Sequence, residues 1–145
     1  MTLFQVNDPD VSAELFDNEV LAINLTSGHY HSMRFSAVPF WLLIISGHTF
    51  DFAVAEISKC YKIDPNVVKD DFNLLLNELI KGQLLKERNP ELAPELSGFQ
   101  KYCTGNYQQP VLENYTDMKD LILLDPIHEV DIIGWPNKAK TDGRN

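Results

Sequence analysis

EVLAINLTSGHYHSMRFSAVPFWLLIISGHT, residues 19–49, is the stretch that sets the fold. Its first half alternates: Leu21, Ile23 and Leu25 fall on one face and Val20, Ala22 and Asn24 on the other, the period of a β-strand. Thr26-Ser27-Gly28 supplies a turn, with Gly28 free to take positive φ, and HYHSM (29–33) reads as the next strand. The period then changes. Ser36 is placed to cap a helix, and Pro39 is tolerated because first-turn N–H groups lack intrahelical partners. Val38, Trp41, Leu42 and Ile45 form its apolar stripe, ended by Gly47.

Working outward, VSAELF (11–16) reads as an earlier strand turned by Asp17-Asn18, which makes a three-stranded antiparallel meander. Downstream, Thr49 caps a second helix whose inner face is Ala53, Ile57 and Tyr61, with Val54 and Cys60 beside them. Asp64-Pro65 opens a third helix, and its stripe of Val68, Phe72, Leu75, Leu76 and Leu79 follows the 3.6-residue period. Gly82 closes it, and Leu84 and Leu85 are expected to fold back onto the core. Three short strands followed by three helices describe an α+β domain of winged helix-turn-helix type over residues 1–88. Beyond it Pro90, Pro94, Pro110, Pro126 and Pro136 interrupt the pattern, so 89–145 reads as an irregular C-terminal extension.

Composition narrows the function. The 145 residues carry 12 Lys and Arg against 21 Asp and Glu, a net charge of −9. That charge repels phosphate backbones and anionic membrane surfaces, so neither nucleic acid nor membrane is an expected partner. The opening MTLFQVNDPD has no basic start or long apolar run, and the longest apolar run, Phe40 to Ile45, is far short of a span. A soluble cytoplasmic protein is expected. Two cysteines are too few for a disulfide framework; Cys60 reads as a helix core residue and Cys103 as a free thiol.

Winged-helix architecture serves DNA binders and peptide binders alike, so the surface must decide. A DNA reader needs Arg, Lys, Asn or Gln along its third helix. Here that helix is PNVVKDDFNLLLNELIK, where Asp70, Asp71 and Glu78 oppose Lys69 and Lys81. A second face of it, Val67, Asp71, Leu74 and Glu78, mixes apolar and acidic positions as a groove for another chain does. The third strand, last in the meander, leaves an edge to which an extended peptide can add. Each added backbone hydrogen bond contributes only about 0.5–1.5 kcal/mol net, so several bonds and an apolar anchor are needed. The plainer alternative is that Leu74 is an ordinary surface leucine and the chain's own tail covers the edge.

The run from Glu19 to Leu85 resembles the PqqD-like family, the RiPP recognition elements that serve the making of ribosomally synthesised modified peptides. The matching positions are Leu21–Leu25, Thr26, Gly28, Tyr30, Met33, Ala37, Trp41, Gly47 and Thr49. The match continues through Tyr61, Asp71-Phe72, Leu75-Leu76, Leu79, Gly82 and Leu84-Leu85 without gaps. The resemblance implies a non-catalytic chaperone without cofactors. It would bind the leader of a precursor peptide as an added strand and present it to a separate maturation enzyme, by family habit a radical SAM enzyme. Carried over by position, the peptide-binding residues are Tyr30, His31, Ser32 and Met33 on the strand and Val67, Asp71, Leu74, Leu75 and Glu78 on the helix.

Two departures suggest a docking surface. Where the family has acids after Thr49, this chain has Phe50 and Phe52 flanking Asp51. The extension also exceeds a minimal domain: Thr116 can cap a helix from Asp117 to Leu124, and Leu121 to Leu124 is apolar all round. Leu121, Leu123, Leu124 and Trp135 join Phe50 and Phe52 as expected partner-docking residues, with packing on their own domain as the alternative. No catalytic site is expected. His29 and His31 share a strand face without a third ligand, and Asp125, His128, Glu129 and Asp131 read as a solvated acidic turn rather than a metal site. The chain lacks a glycine-rich phosphate loop and a G-x-S-x-G elbow. The rival from another class is a winged-helix transcriptional regulator.

Overall fold

The computed structural model describes residues 2–116. Six strands and three helices follow in the order β1 (Phe4–Val6), β2 (Val11–Phe16), β3 (Glu19–Asn24), β4 (Tyr30–Arg34), α1 (Ala37–Ile45), α2 (Phe50–Tyr61), α3 (Pro65–Lys81), β5 (Leu85–Glu87) and β6 (Val111–Tyr115), with a 3-10 turn at Phe99–Tyr102. The mixed α+β class, with antiparallel sheets and three helices, is as the sequence indicated.

The meander forms with each β2 residue opposite its β3 partner from Val11↔Asn24 to Phe16↔Glu19. Val20, Ala22 and Asn24 face the core and are buried, while Leu21 and Ile23 lie half-exposed on the outer face. The more apolar of the two alternating sets therefore points away from the helices. Asn24 is buried without penalty because its side-chain oxygen accepts from the backbone N–H groups of Thr26 and Ser27, stapling the turn before Gly28.

The helix ends behave as their residues require. Thr49 Oγ1 accepts from the Phe52 N–H at 3.0 Å, and Asp64 Oδ1 accepts from the Asn66 N–H at 2.9 Å, with Pro65 at the first helical position. Ser36 occupies the cap position of α1 but makes no side-chain capping bond. α1 also departs from a single stripe: Ala37, Val38, Pro39, Phe40, Trp41, Leu43 and Ile44 are all buried. Its other sides are covered by β1 and by the 3-10 turn, whose Phe99 is buried.

Three strands were not expected from the sequence. Residues 4–6 form β1 and pair antiparallel with β5, which explains why Leu84 and Leu85 return to the core. Residues 111–115 form β6, which pairs with β4, so the main sheet has four strands in the order β2-β3-β4-β6 rather than three. Cys60 is a further correction: it is exposed on α2, and Ser58 takes the buried place, its hydroxyl donating to the Val54 carbonyl. Among the described residues no helix is long and apolar enough to cross a membrane.

The three helices meet at Phe40 and Phe72, both fully buried, with ring centroids 4.4 Å apart. Truncating such a ring removes its transfer energy and leaves a cavity that close-packed neighbours cannot fill. Phe72→Ala is expected to cost about 3–5 kcal/mol, read as a lowered midpoint in urea unfolding with an unchanged slope.

Candidate peptide-binding site

β4 stands between β3 and β6, and its residues divide by face. His31 and Met33 point toward the helices and are buried. Tyr30, Ser32 and Arg34 line the opposite face, where Ser32 is buried and its hydroxyl donates to the Glu19 carboxylate. The edge of β4 expected to be open is closed. β6 lies along it in full antiparallel register, from Tyr30↔Tyr115 through Met33↔Leu112 to Arg34↔Val111. The chain's own extension therefore takes the place foreseen for an incoming peptide, as the plainer sequence alternative had it. The physical reason is that an unpaired strand edge beside an apolar helix face is satisfied by whatever extended segment is nearest.

Side chains reinforce the ladder on both faces. On the inner face His31 Nδ1 and Asn114 Oδ1 are 2.7 Å apart, and Leu112 packs on the core opposite Met33. On the outer face the Arg34 guanidinium donates to Glu113 at 2.8 Å, both groups being about two-fifths exposed, so the pair adds little stability. Before the strand, Tyr107 donates its hydroxyl to the Asp71 carboxylate at 2.7 Å and sets its ring edge-on to Tyr61, centroids 5.3 Å apart. These contacts tie the extension to α3 as well as to β4.

Between α3 and β6 runs a groove of about 230 Å³ lined by Asp71, Leu74, Leu75, Glu78, Gln109, Pro110 and Leu112. Four of the five helix positions carried over from the resemblance thus meet in one place. The fifth, Val67, is half-exposed on α3 and does not line the groove. Leu75 is buried as part of the core, while Leu74 is 70% exposed at the groove rim. Sequence reasoning missed the β6 half of the site because QQPVLENY carries a proline and little alternation of strong strand formers.

The docking residues divide as well. Phe50 is not exposed with Phe52 as a pair: it packs edge-on against Phe40, centroids 6.0 Å apart. Phe52 is partly exposed and stacks on His48 at 4.6 Å, beside a groove that Pro94, Leu96 and Phe99 also line. Leu121, Leu123, Leu124 and Trp135 lie outside the described residues, as do the helix foreseen after Thr116 and the cluster of Asp125, His128, Glu129 and Asp131. His29 precedes β4 and is exposed, so it does not share the buried environment of His31. Among the described residues no three His, Cys, Asp or Glu side chains gather as a metal site.

Four groups in or near the extension have raised pKa values; that of Tyr115 is raised by its burial and then by its bond to Glu113. Burial pushes the Tyr61 phenol up to about 12, with smaller contributions from Cys103 and Cys60. Burial and then the bond to Asp71 raise Tyr107 well above the ordinary tyrosine range. Burial, followed by the neighbouring Cys60, pushes the Cys103 thiol up to about 12. Cys103 therefore stays protonated at neutral pH, the opposite of what a thiolate nucleophile needs.

No family model and no curated protein matches the chain. Among solved structures, TbiB1 in complex with the TbiA(beta) leader peptide matches with a TM-score of 0.53 and 24% identity, over 59% of this chain and 98% of that one. The likeness establishes a shared fold.

Tyrosines in an unfolded chain ionise near 10, whereas Tyr61 and Tyr107 hold their protons to higher pH when folded. Because the folded state binds these protons more tightly, their stabilising effect is complete below about pH 10 and is lost as pH rises toward 12. Urea midpoints measured from pH 8 to 11.5 are expected to fall above pH 10, and the fall should be shallower in Tyr107→Phe.

Proposed function

We propose that this domain is a non-catalytic peptide-binding adaptor of RiPP biosynthesis, which receives the leader of a precursor peptide as a β-strand between β4 and α3 and presents it to a modifying enzyme. The observation that carries this reading is the extended segment 111–115 paired along β4 beside the groove that borders α3: it supports an edge that takes a strand by a backbone ladder next to a helix wall. Two further points support it. The fold is shared with TbiB1, a protein solved with a leader peptide, and four of the helix residues the family resemblance assigns to leader binding, Asp71, Leu74, Leu75 and Glu78, line the groove. The partner enzyme is proposed to be a radical SAM enzyme on the family resemblance alone, and Phe52, exposed beside its own groove, is the described residue best placed to meet it. We take residues 1–88 as the binding domain, with the extension as its continuation across the sheet.

The alternative of a winged-helix transcriptional regulator gains no support from α3. Its exposed surface presents Asp70, Asp71 and Glu78 among Lys69 and Lys81, and such a face gains little against a phosphate backbone.

Leu112→Arg places a charge against Met33 and is expected to unseat β6, leaving the edge free. A panel of precursor leader peptides titrated into ¹⁵N-labelled Leu112→Arg protein should contain a member that binds with micromolar affinity, roughly 8 kcal/mol, and shifts the Tyr30, His31, Ser32 and Met33 amides. Adding Leu74→Asp should weaken that binding fivefold or more, about 1 kcal/mol. The adaptor reading is lost if no leader moves those amides, and the regulator reading replaces it if the protein retards duplex DNA in a low-salt gel shift.

A further inference from the structure

We propose that the outer edge of β2 is a second docking edge, which takes by strand addition an extended segment of a partner protein in which apolar residues alternate with lysine or arginine. This edge lies on the far side of the sheet from β6 and stands independently of the leader-peptide reading.

The ladder leaves the edge open. β2 bonds to β3 through its even-numbered residues: the Asp10 carbonyl accepts from the Leu25 N–H, and Ser12, Glu14 and Phe16 continue that side in register. The odd-numbered residues turn the other way, as the Val11 N–H does in donating to the Asn7 carbonyl. The N–H and C=O groups of Ala13 and Leu15 therefore point outward, and among the described residues nothing bonds to them.

An apolar groove runs beside these groups. Val11, Ala13 and Leu15 stand opposite Asn24, Ala22 and Val20, so they share the helix-facing side of the sheet. Together with Val6 of β1 and Trp41, Leu42 and Ile45 of α1 they line a space of about 310 Å³. A strand laid along β2 sends every second side chain into that space and covers Leu15, which is 38% exposed. Those positions call for apolar residues.

Charge specifies the alternate positions. Their side chains lie beside Ser12, Glu14 and Phe16, all exposed. A lysine or arginine there meets the Glu14 carboxylate and the Phe16 ring, whose face attracts cations. Asp8, Asp10 and Asp17 surround the same edge, and among the described residues only Asp8 is matched by a cation, Lys86 at 3.0 Å. Charges on an edge strand commonly keep it from pairing. Here the groove-facing positions stay apolar and no proline interrupts residues 11–16, so the acids reject chains of like sign and leave a basic one free to pair. A second copy of this chain, bringing −9 of its own, is among those rejected.

The test titrates the ¹⁵N-labelled full chain with a synthetic octapeptide alternating lysine with valine. It is expected to bind with submillimolar affinity, to shift the Ala13 and Leu15 amides and slow their exchange with solvent, and to leave Tyr30, His31, Ser32 and Met33 unmoved. An octapeptide alternating glutamate with valine should bind about tenfold more weakly. Glu14→Lys, a change at an exposed position, should weaken the lysine peptide roughly fivefold without moving the urea midpoint. An octapeptide alternating lysine with proline carries the same charge but lacks half the N–H groups of the ladder. Equal binding by that peptide reduces the interaction to charge and overturns the proposal. So does a failure of the lysine–valine peptide to bind at millimolar concentration, or a set of shifts confined to β4. A dimer whose formation broadens Ala13 and Leu15 overturns it too, since the occupant is then a second copy.

Discussion

Everything at the functional end of the molecule depends on the hydrogen-bonding demand of one strand. β4 must pair on two sides: β3 satisfies one, and the other faces the acidic, leucine-bearing side of α3. A backbone edge in that position offers unpaired N–H and C=O groups that an extended segment lying along it satisfies, as β6 does. The helices create this demand as much as the sheet does. α1, buried almost all round, fixes the core against which Met33 and His31 are set, and α3 runs near enough for its Asp71 and Leu74 to address whatever strand arrives. The sheet is completed beside a wall that mixes apolar and acidic side chains.

The elements that announced themselves in the sequence were those whose ends and periods are local. Thr49 and Asp64-Pro65 open their helices with side-chain acceptors, and the Val68-to-Leu79 stripe faces the core as its period requires. What could not be read locally was set by tertiary pairing. β1 is three residues long, and Phe4, Gln5 and Val6 become a strand only because Leu85–Glu87 lies beside them. β6 follows a proline and contains Glu113 and Asn114, poor strand formers that are held extended by Ser32 and His31 opposite. The α1 stripe widened to the whole helix for the same reason: β1 and the Phe99 turn, themselves non-local, cover its remaining sides. Cys60 was given a buried place that Ser58, two residues earlier, takes instead, since its hydroxyl returns to the Val54 carbonyl.

Of the site, the sequence alone suggested a mixed apolar and acidic helix face next to a strand edge, and it weighed the chain's own tail as the edge's cover. The family resemblance added the residue assignments. Position by position, Asp71, Leu74, Leu75 and Glu78 meet in the groove and Val67 does not, because helical geometry turns it toward solvent. The identity of the occupying segment had no local signal. It follows from where the extension is brought after Phe99 inserts beside α1, a packing event that composition does not encode.

The anchoring of Phe99 separates two mechanical regimes in the extension. Up to Cys103 the polypeptide packs against the core, whereas Thr104 to Asn106 form a short exposed turn. Loop-closure entropy grows only with the logarithm of length, so each doubling of that turn weakens docking by roughly 0.6 kcal/mol. Insertions there are thermodynamically mild, and the strand beyond can diversify while the fold beneath it stays the same. That turn is thus a natural place to lengthen the connection without disturbing the core beneath it.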